Sequence, residues 1–209
     1  MSANKVEKLV YWYLRFNGYL TVENFTVHPD HKKNPEAEFD FLAVRFPFSQ
    51  ENPENFPFKR DKSIILPPPL VDFVVMEVKT GRIDFNKKSL FCSDRQNFEY
   101  ILKWLGFLQA GQICCVAEEL RKHLRWSDGQ YSVRFICAGG EINDEFKDEY
   151  PDLLQLTLKN MMSFILTRLT TNCHARHREN WDKFMNDLIN IMAEDRDPDK
   201  AIRWILSID

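Results

Sequence analysis

Three residues stand out for the chemistry they could perform: Asp40 in the stretch EFD (38–40), and Glu77 and Lys79 in the stretch EVK (77–79). EVK ends the run VDFVVMEVK, 71–79, whose apolar start reads as a buried strand. Side chains alternate between the faces of a strand, so Glu77 and Lys79 share a face with Phe73 and Val75. Asp72, Met76 and Val78 point the other way. By the same parity, Glu38, Asp40 and Leu42 share a face of the preceding strand. If the two strands are neighbours, Asp40 comes beside Glu77 and Lys79. Burying charges at this density is unfavourable unless they are paired or hold an ion, and two close carboxylates repel unless a cation intervenes. Oxygen ligands suit Mg2+ or Mn2+ rather than zinc, and the carbonyl of Val78 is a further hard ligand. A cation held there would polarise a phosphoryl oxygen and lower the pKa of a bound water. Lys79 would orient that water or stabilise the charge that builds on the phosphoryl oxygens. The chemistry expected is metal-assisted hydrolysis of a phosphodiester.

Several elements must position these groups. Apolar residues at 6, 9, 10, 13, 14 and 16 have helical spacing, and Asn17-Gly18 is a stop signal. Strands are expected over 19–27, 37–46, 71–80 and 131–138, with a further short one at 153–156. Helices are expected over 94–107, 112–124, 158–169, 178–192 and 199–208. The Pro-rich segment 47–69 cannot be a central strand and reads as an excursion with room for partial order. This order predicts an α/β fold in one domain over 1–209: a central mixed sheet flanked by helices, with a helical C-terminal third.

The ordered set formed by a first helix, an EFD strand, an EVK strand and a following helix resembles the PD-(D/E)xK nucleases, and so the restriction-endonuclease-like fold. The resemblance covers about residues 4–110, roughly half the chain. It implies that Asp40 is the first metal-binding carboxylate, Glu77 the second and Lys79 the catalytic lysine. It also implies a role for Glu7 on the first helix and for Gln96 on the helix after the triplet. Phe39 stands where the family name has Pro, and the Pro-rich segment lengthens the gap between Asp40 and Glu77. The implied activity is that of a Mg2+- or Mn2+-dependent DNA endonuclease in repair, restriction or mobile-element defence. DNA would be held through its phosphate backbone, and a homodimer would suit cutting both strands. The alternative is a non-catalytic module of the same fold that binds nucleic acid or a protein.

Competing features are weaker. Asp72 has an odd offset from Glu77 and so lies on the opposite face. The HxxH pairs, His28 with His31 and His174 with His177, have no accompanying CxxC, so zinc is not expected. The stretch CHARHR at 173–178, with Lys87, Lys88 and Arg95, could contact phosphates without reading sequence. Tyr11, Trp12 and Tyr13 read as core, and Cys114-Cys115 as buried thiols. A net charge of −3 gives no global basic field, so any nucleic-acid contact must come from a local patch. No run approaches the length of a membrane span, and five unpatterned cysteines fit a reduced, cytoplasmic protein.

Overall fold

A computed structural model describes residues 4–27, 37–49, 60–66, 70–84, 95–171, 181–194 and 197–207. The elements in chain order are α1 (Lys5–Phe16), β1 (Leu20–Val27), β2 (Ala37–Arg45), β3 (Val71–Val78), α2 (Arg95–Leu105), α3 (Ala110–His123), β4 (Arg125–Ser127), β5 (Tyr131–Gly139), α4 (Asp144–Glu149), β6 (Leu154–Thr157), α5 (Leu158–Thr171), α6 (Lys183–Glu194) and α7 (Pro198–Leu206). The helix starts are chemically marked. Asn4 accepts a hydrogen bond from the Val6 N–H at 3.1 Å, and Asp197 accepts one from Asp199 at 2.9 Å with Pro198 next in line. Side-chain acceptors satisfy N–H groups that have no partner in the first helical turn. α6 starts later than its periodicity suggested, because Asp182 accepts from the Met185 N–H at 3.0 Å and caps it there. Two short elements escaped the sequence reading. β4 has three residues, and α4 has six with Phe146 alone buried, so neither is long enough to show a period.

The sheet runs β1-β2-β3-β5-β4, and β6 also pairs with β5. β1, β2 and β3 are antiparallel neighbours, whereas β3 and β6 both run parallel to β5. The expected mixed sheet with flanking helices is what forms. Its two faces build two cores. On one, Phe41, Ala43, Val74, Met76, Ile136 and Ala138 pack beneath α1, α5, α6 and α7. On the other, Leu42, Phe73, Val75, Val133, Phe135 and Cys137 pack beneath α2 and α3. The C-terminal helices are therefore part of the main core and share a face with α1. Trp12 stacks on Trp181 at 5.9 Å and donates to Asp182 at 3.2 Å, which ties the first helix to the last third of the chain.

Part of the Pro-rich segment is ordered against α1: Ile64 is fully buried, Asp61 accepts from Tyr13 Oη at 2.8 Å, and the Asp61 N–H donates to Asn17 Oδ1 at 2.8 Å. One expectation needs correction. Cys114 and Cys115 are exposed, because α3 turns Ile113, Val116, Ala117 and Leu120 inward and leaves both thiols on its outer side. Among the described cysteines only Cys137 is buried. The HxxH pairs, CHARHR, Lys87 and Lys88 lie outside the described residues, while Arg95 is exposed and paired with Glu99 at 2.8 Å. Among the described residues no helix is long and apolar enough to cross a membrane.

The strongest polar contact in the core lies at the start of β3. Asp72 is fully buried and accepts from Arg134 Nε at 3.1 Å and Nη2 at 2.7 Å. Tyr19 Oη also donates to Asp72, and Arg134 donates to the Ile64 carbonyl. Asp72 thus belongs to the fold and not to the EVK site, as its opposite face implied. Removing one partner of a buried ion pair leaves an uncompensated charge in low dielectric. Asp72→Ala is expected to lose about 3–5 kcal/mol of folding stability in urea titration. Adding Arg134→Met to that variant should restore most of the loss, since both charges are then gone.

Candidate metal centre

β2 and β3 stop pairing at the level of the proposed site. The last ladder pair is Phe41 with Met76, and the next positions would be Asp40 and Glu77. Lys79 N–H donates to the Ala138 carbonyl at 2.9 Å, so Lys79 faces β5. Successive peptide groups of a strand point to alternate sides, so Val78 presents both its N–H and its C=O towards β2. With the ladder ended, the Asp40 side chain replaces the missing backbone acceptor: its Oδ2 takes the Val78 N–H at 2.6 Å. The Val78 carbonyl opens into the same gap.

Simple alternation fails at Asp40. Phe39 and Leu42 belong to one core and Phe41 to the other, so the face changes between 39 and 41 and Asp40 does not share a plain face with Leu42. The cause lies on the neighbouring strand. Glu23 pairs with Phe41 and Phe25 with Phe39, but Asn24, opposite Asp40, has φ +52° and forms no ladder pair. A left-handed residue inside a strand twists it locally. Asn tolerates that conformation better than most side chains.

Glu77 and Lys79 touch each other, Nζ to Oε1 2.5 Å. Glu77 is 14% exposed and Lys79 35%, so the pair lies at the rim of the core and not within it. Burial pushes the Asp40 carboxyl up; the Val78 N–H and Lys79 pull it back, and Glu38 adds to the rise. Burial likewise raises Glu77, against the hydrogen bond from Lys79, and the Asp40 charge raises it further. Glu7, in the first turn of α1, is raised by burial and then by the Asp40 charge, although the helix start favours its anion. Lys79 is lowered by burial but raised on balance by Glu77 and Asp40.

These four groups therefore form one electrostatic unit, and Glu38, which the sequence reading did not single out, is a fifth charge acting on Asp40 and Glu77. Glu38 stands two positions before Asp40 on an exposed side of β2, which is the signal that could have found it. Gln96 is the second residue of α2 with an exposed side chain, and the connection that leads to it, 85–94, lies outside the described residues. Among the described residues no three Asp, Glu, His or Cys side chains are close enough together to hold a metal ion between them. What the site offers is a smaller set: the Asp40 and Glu77 carboxylates and the Val78 carbonyl at the strand gap, with Glu7 nearby.

Gly139 and Gly140 secure the far side of this segment. A Cβ on Gly139 would lie 2.6 Å from Ile83 Cγ1 and 2.9 Å from the Gly81 carbonyl oxygen. The Gly140 N–H donates to that carbonyl at 2.7 Å, and the Ile83 N–H donates to Glu141 at 2.8 Å. The chain just after Lys79 is thus pinned to the end of β5 by backbone contacts only hydrogen-sized side groups allow.

A carboxyl whose pKa is higher folded than unfolded binds its proton more tightly in the fold. Stability then falls as pH rises from the ordinary value of about 4 through the raised value, and stays reduced above it. In metal-free buffer at pH 7, Asp40→Asn is expected to melt about 2 °C above the parent chain, because Asn still accepts from Val78 without the charge. The gap should close as the pH approaches 4, as followed by circular dichroism melts.

Comparison with known proteins finds no matching family model, no matching curated protein and no matching solved structure.

Proposed function

We propose that the gap between β2 and β3 is the active site of a Mg2+-dependent nuclease that hydrolyses phosphodiester bonds in DNA. The observation that supports this reading is the parting of the two strands at Asp40, whose carboxylate takes the Val78 N–H and is electrostatically coupled to Glu77, itself paired with the Lys79 ammonium. The donor set is all oxygen, and burial raises both of its carboxyls above their usual range. That chemistry fits Mg2+, which keeps several of its own waters and needs few protein ligands, and does not fit zinc. When bound, Mg2+ supplies Lewis acidity towards a phosphoryl oxygen and a water of lowered pKa.

The chain's own residues do the rest. Asp40 and Glu77 would hold the cation, and the Val78 carbonyl would add a neutral ligand. Lys79 keeps its proton and donates it as a hydrogen bond to a non-bridging phosphoryl oxygen, where negative charge grows in the transition state. The Asp40–Val78 bond fixes the carboxylate relative to the strand, so its second oxygen is free to ligate. Glu7, coupled to Asp40 from α1, would supply a further acceptor beside the cation.

A second reading is a non-catalytic module that binds nucleic acid or a protein. The direct Glu77–Lys79 contact favours it, because each charge is already balanced by the other.

Cleavage of plasmid and of single-stranded DNA with Mg2+ or Mn2+ separates the two. Lys79→Ala and Glu77→Gln should each lower cleavage by about 100-fold or more while circular dichroism stays unchanged. Titration calorimetry should show Mg2+ binding that Asp40→Asn abolishes. A chain that binds Mg2+ through Asp40 yet leaves every DNA form intact is not a nuclease acting on DNA. One with no Asp40-dependent binding is the module.

A further inference from the structure

Arg45 ends β2 at the opposite end of the sheet from the EVK triplet, and only 1% of it is exposed. Its Nε and Nη2 have no hydrogen-bond partner. These two donors form one edge of the guanidinium, the same edge by which Arg134 grips both oxygens of Asp72. Arg45 is the register partner of Asp72, but that carboxylate is already taken by Arg134 and Tyr19. The face of the Tyr19 ring lies 5.6 Å from the Arg45 guanidinium carbon, which offsets part of the charge but accepts nothing at the donor edge. On the other side of Asp72 in the sheet, Ser132 is also fully buried with an unpartnered Oγ.

The charges here do not balance. Arg45 and Arg134 are both buried at this end of the sheet, whereas Asp72 is the one buried carboxylate among the described residues. A guanidinium cannot shed its proton at any accessible pH, so it cannot neutralise itself as a buried lysine would. An unpaired buried cation and two unmade charged hydrogen bonds are each costly. The planar two-donor edge matches an anion with two oxygens in one plane.

We infer that the empty Nε/Nη2 edge of Arg45 is a binding site for a small oxyanion of the carboxylate or phosphate class, distinct from the proposed cation site. Arg45 and Glu77 sit at opposite ends of the sheet, since Asp72, the partner of Arg45, is five residues from Glu77, or about 16 Å along β3. Phe46, the next residue, is exposed, so Arg45 lies one residue from the surface along the chain. An anion seated there stabilises the fold by mass action, so stability becomes linked to its concentration.

The probes are inorganic phosphate and acetate, each against chloride at equal ionic strength, with EDTA present throughout. Phosphate or acetate should raise the melting temperature of the full chain saturably, by about 5 °C. Calorimetry should give one site per chain, and the better of the two anions identifies the class. Asp40→Asn should keep the response. Arg45→Met should lose it and melt above the parent chain in chloride, since it removes an unpaired buried charge. If that variant does not fold, the calorimetric titration of the parent chain decides alone. The inference fails if neither anion binds saturably, or if Arg45→Met retains the response. It fails also if Arg45→Met melts lower than the parent chain in chloride, which would mean that a group of the chain itself holds that edge.

Discussion

Once β2 leaves β3, the Val78 N–H has no backbone carbonyl to meet, and a buried amide cannot be left without an acceptor at little cost. The Asp40 carboxylate meets that need. The same bond brings the first acidic group to the strand that carries the second. A backbone requirement and a candidate chemical site are thus met by one side chain. Everything proposed about the site rests on where the two strands part.

β3 serves different purposes at its two ends. At its start, Asp72 is fully buried, gripped by Arg134 and Tyr19, and belongs to the core. At its end, Glu77 and Lys79 reach the rim, where burial is enough to disfavour lone charges but not to exclude solvent. Between them, four apolar residues alternate between the two cores. One strand therefore couples a rigid electrostatic anchor to an opening whose charges the fold does not require. The helices divide the same way: α1 and the C-terminal helices cover one face, and α2 and α3 the other.

Much of this was legible in the residues. The six strands and seven helices among the described residues include every long element that periodicity suggested, because long amphipathic runs leave clear patterns. The opposite facing of Asp72 and Glu77 followed from strand parity alone. Parity failed at Asp40, since it assumes an unbroken strand and cannot foresee a left-handed Asn24 on the neighbour. Arg45 and Arg134 were not singled out, because an arginine inside an apolar strand looks the same whether it snorkels to solvent or is sealed in. The exposure of Cys114 and Cys115 was misread because adjacent residues on a helix point a hundred degrees apart, and only one face of α3 is buried.

The paired glycines at the end of β5 carry a consequence for how such a protein can drift over generations. Loss of Glu77 or Lys79 would remove charges of the proposed site and leave the architecture standing, whereas loss of Asp40 would also leave the Val78 N–H without its acceptor. A single methyl group at Gly139 would do the reverse, keeping all three side chains while prising the segment beyond Lys79 off its support. Retention of the proposed site therefore depends on a position with no functional group at all, which a search for charged motifs would pass over.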